Sequence, residues 1–206
     1  MEKLKVVAPD QVDNEQSQES TIRSLSSLVD QELPKRYRGK TCANLVGQDE
    51  AVESALKVVS TGRSVFITGE QGRGKTHLGV GLARALIESG RVPLSDFKFL
   101  PSVEFFLELK EAMDSKIPER DIIAKYAYVT LLVFDDIGAE KISDWSRQVF
   151  YTLIDRRYRS MLQTIITSNK SLGQIAELID DRISSRIVEM GAVIQMEGED
   201  WRLKAK

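Results

Sequence analysis

Ser64-Val65-Phe66-Ile67-Thr68 runs directly into Gly69-Glu70-Gln71-Gly72-Arg73-Gly74-Lys75-Thr76, and a helical pattern continues from there to about Ser89. The second stretch fits G-x-x-x-x-G-K-[ST] at every fixed position, and it sits where that pattern has physical meaning, between an apolar strand and the start of a helix. Glycines let the backbone curl so that successive N–H groups point inward, with the positive end of the helix dipole behind them. Lys75 adds a mobile point charge for the β- and γ-phosphates, and the Thr76 hydroxyl is suited to Mg²⁺. A nucleoside triphosphate is expected here. The candidate nucleotide-binding set is Gly69, Glu70, Gln71, Gly72, Arg73, Gly74, Lys75 and Thr76. His77, next in the chain, is carried with them although packing or surface is its ordinary role.

Outward from this loop, short β-rich runs alternate with helical stretches. Expected strands are Ser64–Thr68, Asp96–Leu100, Val129–Phe134, Gln163–Thr167 and Ala192–Met196; expected helices lie at about 48–60, 75–89, 102–115, 144–159 and 171–188. Several strands are apolar at consecutive positions, as a parallel sheet covered on both faces requires. Strand–helix alternation of this kind predicts an α/β sandwich.

Leu131-Leu132-Val133-Phe134 ends in Asp135-Asp136. Two adjacent carboxylates at a buried strand end are costly unless they meet a cation, and such ends face the crevice where open α/β sheets hold ligands. Asp135 is expected in the Mg²⁺ shell, and Asp136 is expected to orient or deprotonate the water attacking the γ-phosphate. A further strand ends at Thr167-Ser168-Asn169, where a carboxamide suits the γ-phosphate and the water, and equally suits a turn.

The chain has 206 residues, 42% of them hydrophobic, enough for one α/β domain that buries roughly 70% of its unfolded surface. Twenty-nine basic and 31 acidic residues leave a net charge of −2, which excludes a strongly basic nucleic-acid coat. One cysteine, Cys42, excludes an internal disulfide and a Cys-rich zinc module. No apolar run is long enough to span a membrane and the N-terminus lacks a signal-like stretch, so no membrane and a cytoplasmic location are expected. Residues 1–33 carry −4, and Pro34–Lys40 carries four positive charges. Residues 1–40 are therefore expected as a flexible, partner-binding arm and basic linker with one short helix near 20–31, ahead of a nucleotide-binding domain at 41–206. Tyr37 in the linker is a candidate to stack on a base.

The ordered set Leu33–Tyr37, Gly69–Thr76, Leu131–Gly138, Leu153–Tyr158, Thr167–Asn169 and Asp181–Glu197 resembles the AAA+ ATPases, within them the DnaC and DnaI helicase loaders and the IstB transposition helpers. The resemblance covers about residues 33–202. It implies a P-loop NTPase three-layer sandwich, a five-stranded parallel sheet with the loop strand near its centre, ATP and Mg²⁺ between subunits, and self-association into a ring or helical assembly. It places Asn169 at the sensor position. It also places Arg182 and Arg186 where a finger reaches a neighbour's ATP, Arg186 being the preferred one; either arginine also reads as an ion pair with Asp180 or Asp181. No helical lid is expected after the last strand, and the lid's sensor arginine then has no match beyond Arg202. The implied activity is ATP hydrolysis by a loader of the hexameric replicative helicase in DNA replication, the alternative being a helper that assembles on DNA and recruits a transposase. Single-stranded DNA is an implied partner of the assembly, with Lys110 and Lys116 as candidate phosphate contacts and Phe105, Leu109 and Met113 as core. Trp145 and Trp201 are assigned no role.

Overall fold

A computed structural model describes residues 21–139, 142–198 and 200. Helix α1 spans 21–31, and single 3-10 turns follow at Lys35–Tyr37 and Cys42–Asn44. Next come α2 (Asp49–Val59), β1 (Ser64–Thr68), α3 (Lys75–Glu88), β2 (Phe97–Pro101), α4 (Ser102–Asp114), α5 (Glu119–Ala127) and β3 (Leu131–Asp135). The order closes with α6 (Asp144–Arg159), β4 (Gln163–Ser168), α7 (Leu172–Leu178), α8 (Asp181–Met190) and β5 (Gly191–Gln195).

All strand pairs are parallel, in the order β2-β3-β4-β1-β5. The expected five-stranded sheet is present. Its centre is β4, and the loop strand β1 lies one place aside between β4 and β5. Every residue of β1, β3 and β4 is buried, as continuous apolar runs predicted. One core gathers Val29, Val59, Ile67, Leu78 and Leu82 around α1, α2 and α3; the other gathers Phe105, Phe134, Phe150, Ile175 and Ile183 under α4 to α8. The result is a three-layer sandwich.

Four differences from expectation have physical causes. Helix α1 is packed, with Val29 and Leu33 buried in the first core, so residues 21–40 belong to the folded unit rather than to a flexible arm. The stretch 171–188 is two helices, because Asp180 breaks the pattern and caps the second by accepting from Arg182 N–H at 2.8 Å. Helix α5, which follows Pro118 as its N-cap and has Glu119 and Asp121 in its first turn, was not foreseen. Phe105 and Leu109 are core as expected, but Met113 is 58% exposed because it turns off their face of α4. Residue Arg157 of α6, fully buried, donates to Tyr126 O and Val129 O (both 2.9 Å), Gln163 O (2.6 Å) and Thr164 Oγ1 (2.8 Å). It thereby sews the α5–β3 connection to β4, and burial pushes its pKa down to about 9. Among the described residues no helix follows β5, and no helix is long and apolar enough to cross a membrane.

Candidate functional site

The C-terminal ends of β1, β3 and β4 open onto one cleft of about 400 Å³. It is lined by Gln71, Gly72, Gly74, Lys75, Thr76 and His77 on one side and by Asp135, Asp136 and Asn169 on the other. The linker residues Arg36, Tyr37 and Lys40 close its remaining wall.

The loop closes tightly. Gly74 stands at φ 89° as the N-cap of α3, and Gly72 at φ 77°, a region that L side chains enter only with strain. At Gly72 a Cβ would lie 1.8 Å from Asp200 Oδ1, so the carboxylate rests directly on the glycine. Glu70 contributes its carbonyl rather than its carboxylate: Lys75 Nζ donates to Glu70 O at 2.8 Å, while the Glu70 side chain is 81% exposed and pairs with Arg73. Gly69, Glu70 and Arg73 do not line the cleft.

Lys75 is buried, and its Nζ also donates to Asn169 Oδ1 at 2.6 Å. The Asn169 amide donates in turn to Asp136 Oδ1 at 2.8 Å. One carboxamide therefore joins the cation of the loop to the second carboxylate. Asp136 holds its position by a left-handed backbone, φ 57°, with its N–H donating to Thr167 Oγ1 (2.8 Å) and its carbonyl accepting from Ser102 Oγ (2.9 Å). For a non-glycine residue that conformation costs roughly 1–2 kcal/mol, and strain of this kind gathers at functional sites.

Asp135 is 4% exposed and accepts from Thr167 Oγ1 at 2.6 Å. Burial raises its pKa and the Asp136 charge adds to this; hydrogen bonds from Thr167 and Thr76 and the Lys75 charge oppose it, and burial prevails. A carboxylate pair beside a threonine hydroxyl, with Asp135 buried and Asp136 partly so, fits a divalent cation, which offsets the desolvation that otherwise neutralises one acid. Thr167 is thus the residue that sequence reading missed. Its hydroxyl orients both aspartates, and the TSN run was the signal.

His77 lines the cleft, yet its Nε2 faces Thr41 O (2.9 Å) and Asn44 Oδ1 (2.7 Å). The Asn44 amide is oriented by two further bonds, its Oδ1 accepting from Thr41 N–H and its Nδ2 donating to Gly39 O. Both partners of Nε2 are therefore acceptors, and Nε2 carries a proton. Burial, aided by the Lys40 charge, lowers the ring's pKa, so the ring is neutral at physiological pH and ties the linker to α3.

Arg182 and Arg186 stand apart from this cleft, on α8. Arg182 pairs with Asp180 at 2.7 Å and lies 4.3 Å from the Tyr151 ring centroid. Arg186 pairs with Asp155 at 2.7 Å, donates to Tyr151 Oη at 2.9 Å, and leaves its buried Nε without a hydrogen-bond partner among the described residues. The structure brings the loop, both aspartates and Asn169 together, and leaves the two arginines on another face of the same chain. Lys110 and Lys116 are exposed, on α4 and just beyond it. Arg202 and Trp201 lie outside the described residues.

The family model for the IstB-like ATP binding protein matches residues 48–206. The putative ATP-binding protein of insertion sequence IS21 from Pseudomonas aeruginosa is 27% identical over 158 residues, 74% of this chain and 57% of that protein. The replicative helicase loader DnaI of Bacillus subtilis is 30% identical over 155 residues, 68% of this chain and 48% of that protein. The crystal structure of the DnaC helicase loader superimposes with a TM-score of 0.68 and 26% identity, over 80% of this chain and all of that one. The chain spans about half to three fifths of the length of these two curated relatives. A P-loop between β1 and α3, two carboxylates at the end of β3 and an asparagine after β4 are the parts of an AAA+ nucleotide site, and with a family match over residues 48–206 the chain belongs to the IstB-like ATP binding proteins.

Proposed function

We propose that this protein hydrolyses ATP between neighbouring copies of itself and works in the cytoplasm as a loader of the hexameric replicative helicase. The observation that carries the chemistry is the connected run from Lys75 through Asn169 to Asp136, with distances of 2.6 and 2.8 Å. Lys75 meets the β- and γ-phosphates, and Asn169 holds the γ-phosphate and the attacking water in one frame. Asp136, held by that amide, orients the water and takes its proton. Thr76 and Asp135 would hold a magnesium ion, which neutralises charge on the phosphate oxygens. Arg186, with Arg182 four residues before it on α8, would leave its own Asp155 and Tyr151 and reach a neighbour's γ-phosphate.

The kinship with DnaI and DnaC supports the loader role. In such an assembly single-stranded DNA would meet Lys110 and Lys116. Glu104, Glu108, Glu111 and Asp114 share that helix region, so the contact needs several copies and weakens with salt. The test is co-purification with a hexameric replicative helicase at saturating ATP. Retention that is lost on removing residues 1–20, a deletion that spares helix α1 and its core residues Val29 and Leu33, supports a loader whose N-terminal segment holds the helicase; no retention under any nucleotide condition ends that reading. A second reading, a transposition helper, is favoured by the IstB-like family model and the IS21 relative. It predicts that duplex DNA stimulates hydrolysis more than single strands do, and the reverse order counts against it.

A further inference from the structure

With the loop residues Gln71, Gly72, Gly74, Lys75 and Thr76 and the polar groups of Asp135, Asp136 and Asn169 assigned to the phosphates and the metal, Arg36, Tyr37, Lys40 and His77 are the lining residues left for a base and ribose. Three of those four lie in a linker with no strand or long helix of its own, so something must hold it. One face of α3 does so. His77, Gly81 and Arg84 follow one another at helical spacing, and each meets residues 40–44. His77 bonds Thr41 and Asn44, as above. At Gly81 a Cβ would fall 2.7 Å from Cys42 N, so the linker lies flat on the helix there. Arg84, 1% exposed, donates from Nε to Lys40 O at 3.0 Å.

The Arg84 guanidinium is the node of a larger set. It donates to Ser26 O (3.0 Å) and Ser26 Oγ (2.5 Å), pairs with Asp30 on α1, and lies 3.6 Å from Glu88. Asp30 Oδ1 in turn accepts from Gly39 N–H at 2.9 Å. Two backbone points of the linker, Gly39 N–H and Lys40 O, are thus held by one ion pair whose arginine is buried. From there Tyr37 is set against the Phe99 ring, with centroids 5.5 Å apart.

We propose that Arg84 and Asp30 are positioning residues for the base end of the nucleotide site, fixing the 36–40 wall so that the pocket distinguishes a nucleotide from a bare triphosphate. This rests on the reading of the cleft as an ATP site. It also makes helix α1, and whatever the preceding residues bind, mechanically continuous with nucleotide affinity, because Ser26 and Asp30 lie on α1.

The test compares ATP with inorganic tripolyphosphate, both with Mg²⁺, by competition against a fluorescent nucleotide on the full chain. The variants are Asp30→Ala, which leaves Glu88 3.6 Å from the Arg84 guanidinium as its remaining carboxylate, and Arg84→Lys, which keeps the charge but not the branched contact. Asp30→Ala should weaken ATP about tenfold and leave tripolyphosphate within about twofold. Arg84→Lys should fall between that variant and the wild type. Equal loss for both ligands would mean general loosening and overturn the proposal, as would no loss for either. A wild-type chain that binds neither ligand would overturn the ATP-site reading as well.

Discussion

Replacing Asn169 with alanine removes one carboxamide and, with it, two hydrogen bonds to charged groups: the 2.6 Å bond from Lys75 Nζ and the 2.8 Å bond to Asp136 Oδ1. The two ends of this bridge have different consequences. Lys75 keeps its 2.8 Å bond to Glu70 O, and the loop backbone is untouched. Asn169 also competes with phosphate for the same ammonium group, so its loss offsets any weakening of ATP binding. The dissociation constant for ATP should therefore stay within about threefold of wild type, under ~1 kcal/mol. Asp136 loses the amide that fixes its carboxylate, and the attacking water loses a partner. Loss of one preorganised polar group at a reacting centre costs about 10²–10³ in kcat, or roughly 3–4 kcal/mol. Fluorescent-nucleotide titration and phosphate-release kinetics on the same preparation measure both quantities. Asn169→Asp is the companion variant: it sets a carboxylate against Lys75 and Asp136 and should weaken ATP by more than about tenfold. An alanine variant with intact kcat, or one in which affinity falls as far as kcat, would refute the assigned role.

Three other outcomes follow from the geometry. Asp136→Gly relieves the left-handed backbone at φ 57°; it should raise stability by about 1 kcal/mol, roughly 2–4 °C in melting temperature, while hydrolysis is lost, and an unchanged or lower melting temperature would contradict the strain. Because burial raises the Asp135 pKa, the folded state takes up a proton before the unfolded chain does as pH falls from the raised value towards 3.8. That uptake stabilises the nucleotide-free protein on acidification. Asp135→Asn should thus melt higher than wild type at neutral pH, with the gap closing as pH falls through that window; a gap that widens would be the opposite sign. Gly81→Ala drives a methyl to 2.7 Å from Cys42 N, which should cost about 1–3 kcal/mol by overpacking, seen as a lower urea midpoint, and a neutral effect would mean that the linker is not pressed on α3.

Much of the fold was readable because a parallel sheet between helix layers leaves a simple trace. The strands Leu131–Asp135 and Gln163–Ser168 are apolar on both faces and end in polar residues at the cleft. The phosphate loop was readable for the same reason, since its glycines and lysine serve a backbone shape more than a tertiary context. What escaped reading depends on distant partners. Thr167 looks like any strand threonine until β3 and β4 pair and bring Asp135 beside it. Arg84 sits in the apolar run Leu82-Ala83-Arg84-Ala85-Leu86, where nothing local says that Asp30 and Lys40 O will surround it. The break between α7 and α8 was signalled by Asp180 but masked by apolar periodicity on both sides. The left-handed turn at Asp136 has no composition signal at all.

The central claim is that one copy supplies the loop and carboxylates while another supplies the arginine, and mixing two inactive variants tests it directly. Asp136→Asn keeps Arg186 but cannot activate water; Arg186→Ala keeps Asp136 but offers no cation to a neighbour. Each alone should be inactive, and an equimolar mixture at assembling concentrations should recover ATPase activity, because one of the interface pairings joins an intact Asp136 to an intact Arg186. A mixture no more active than the sum of its parts, from variants that bind ATP and assemble normally, would contradict the claim.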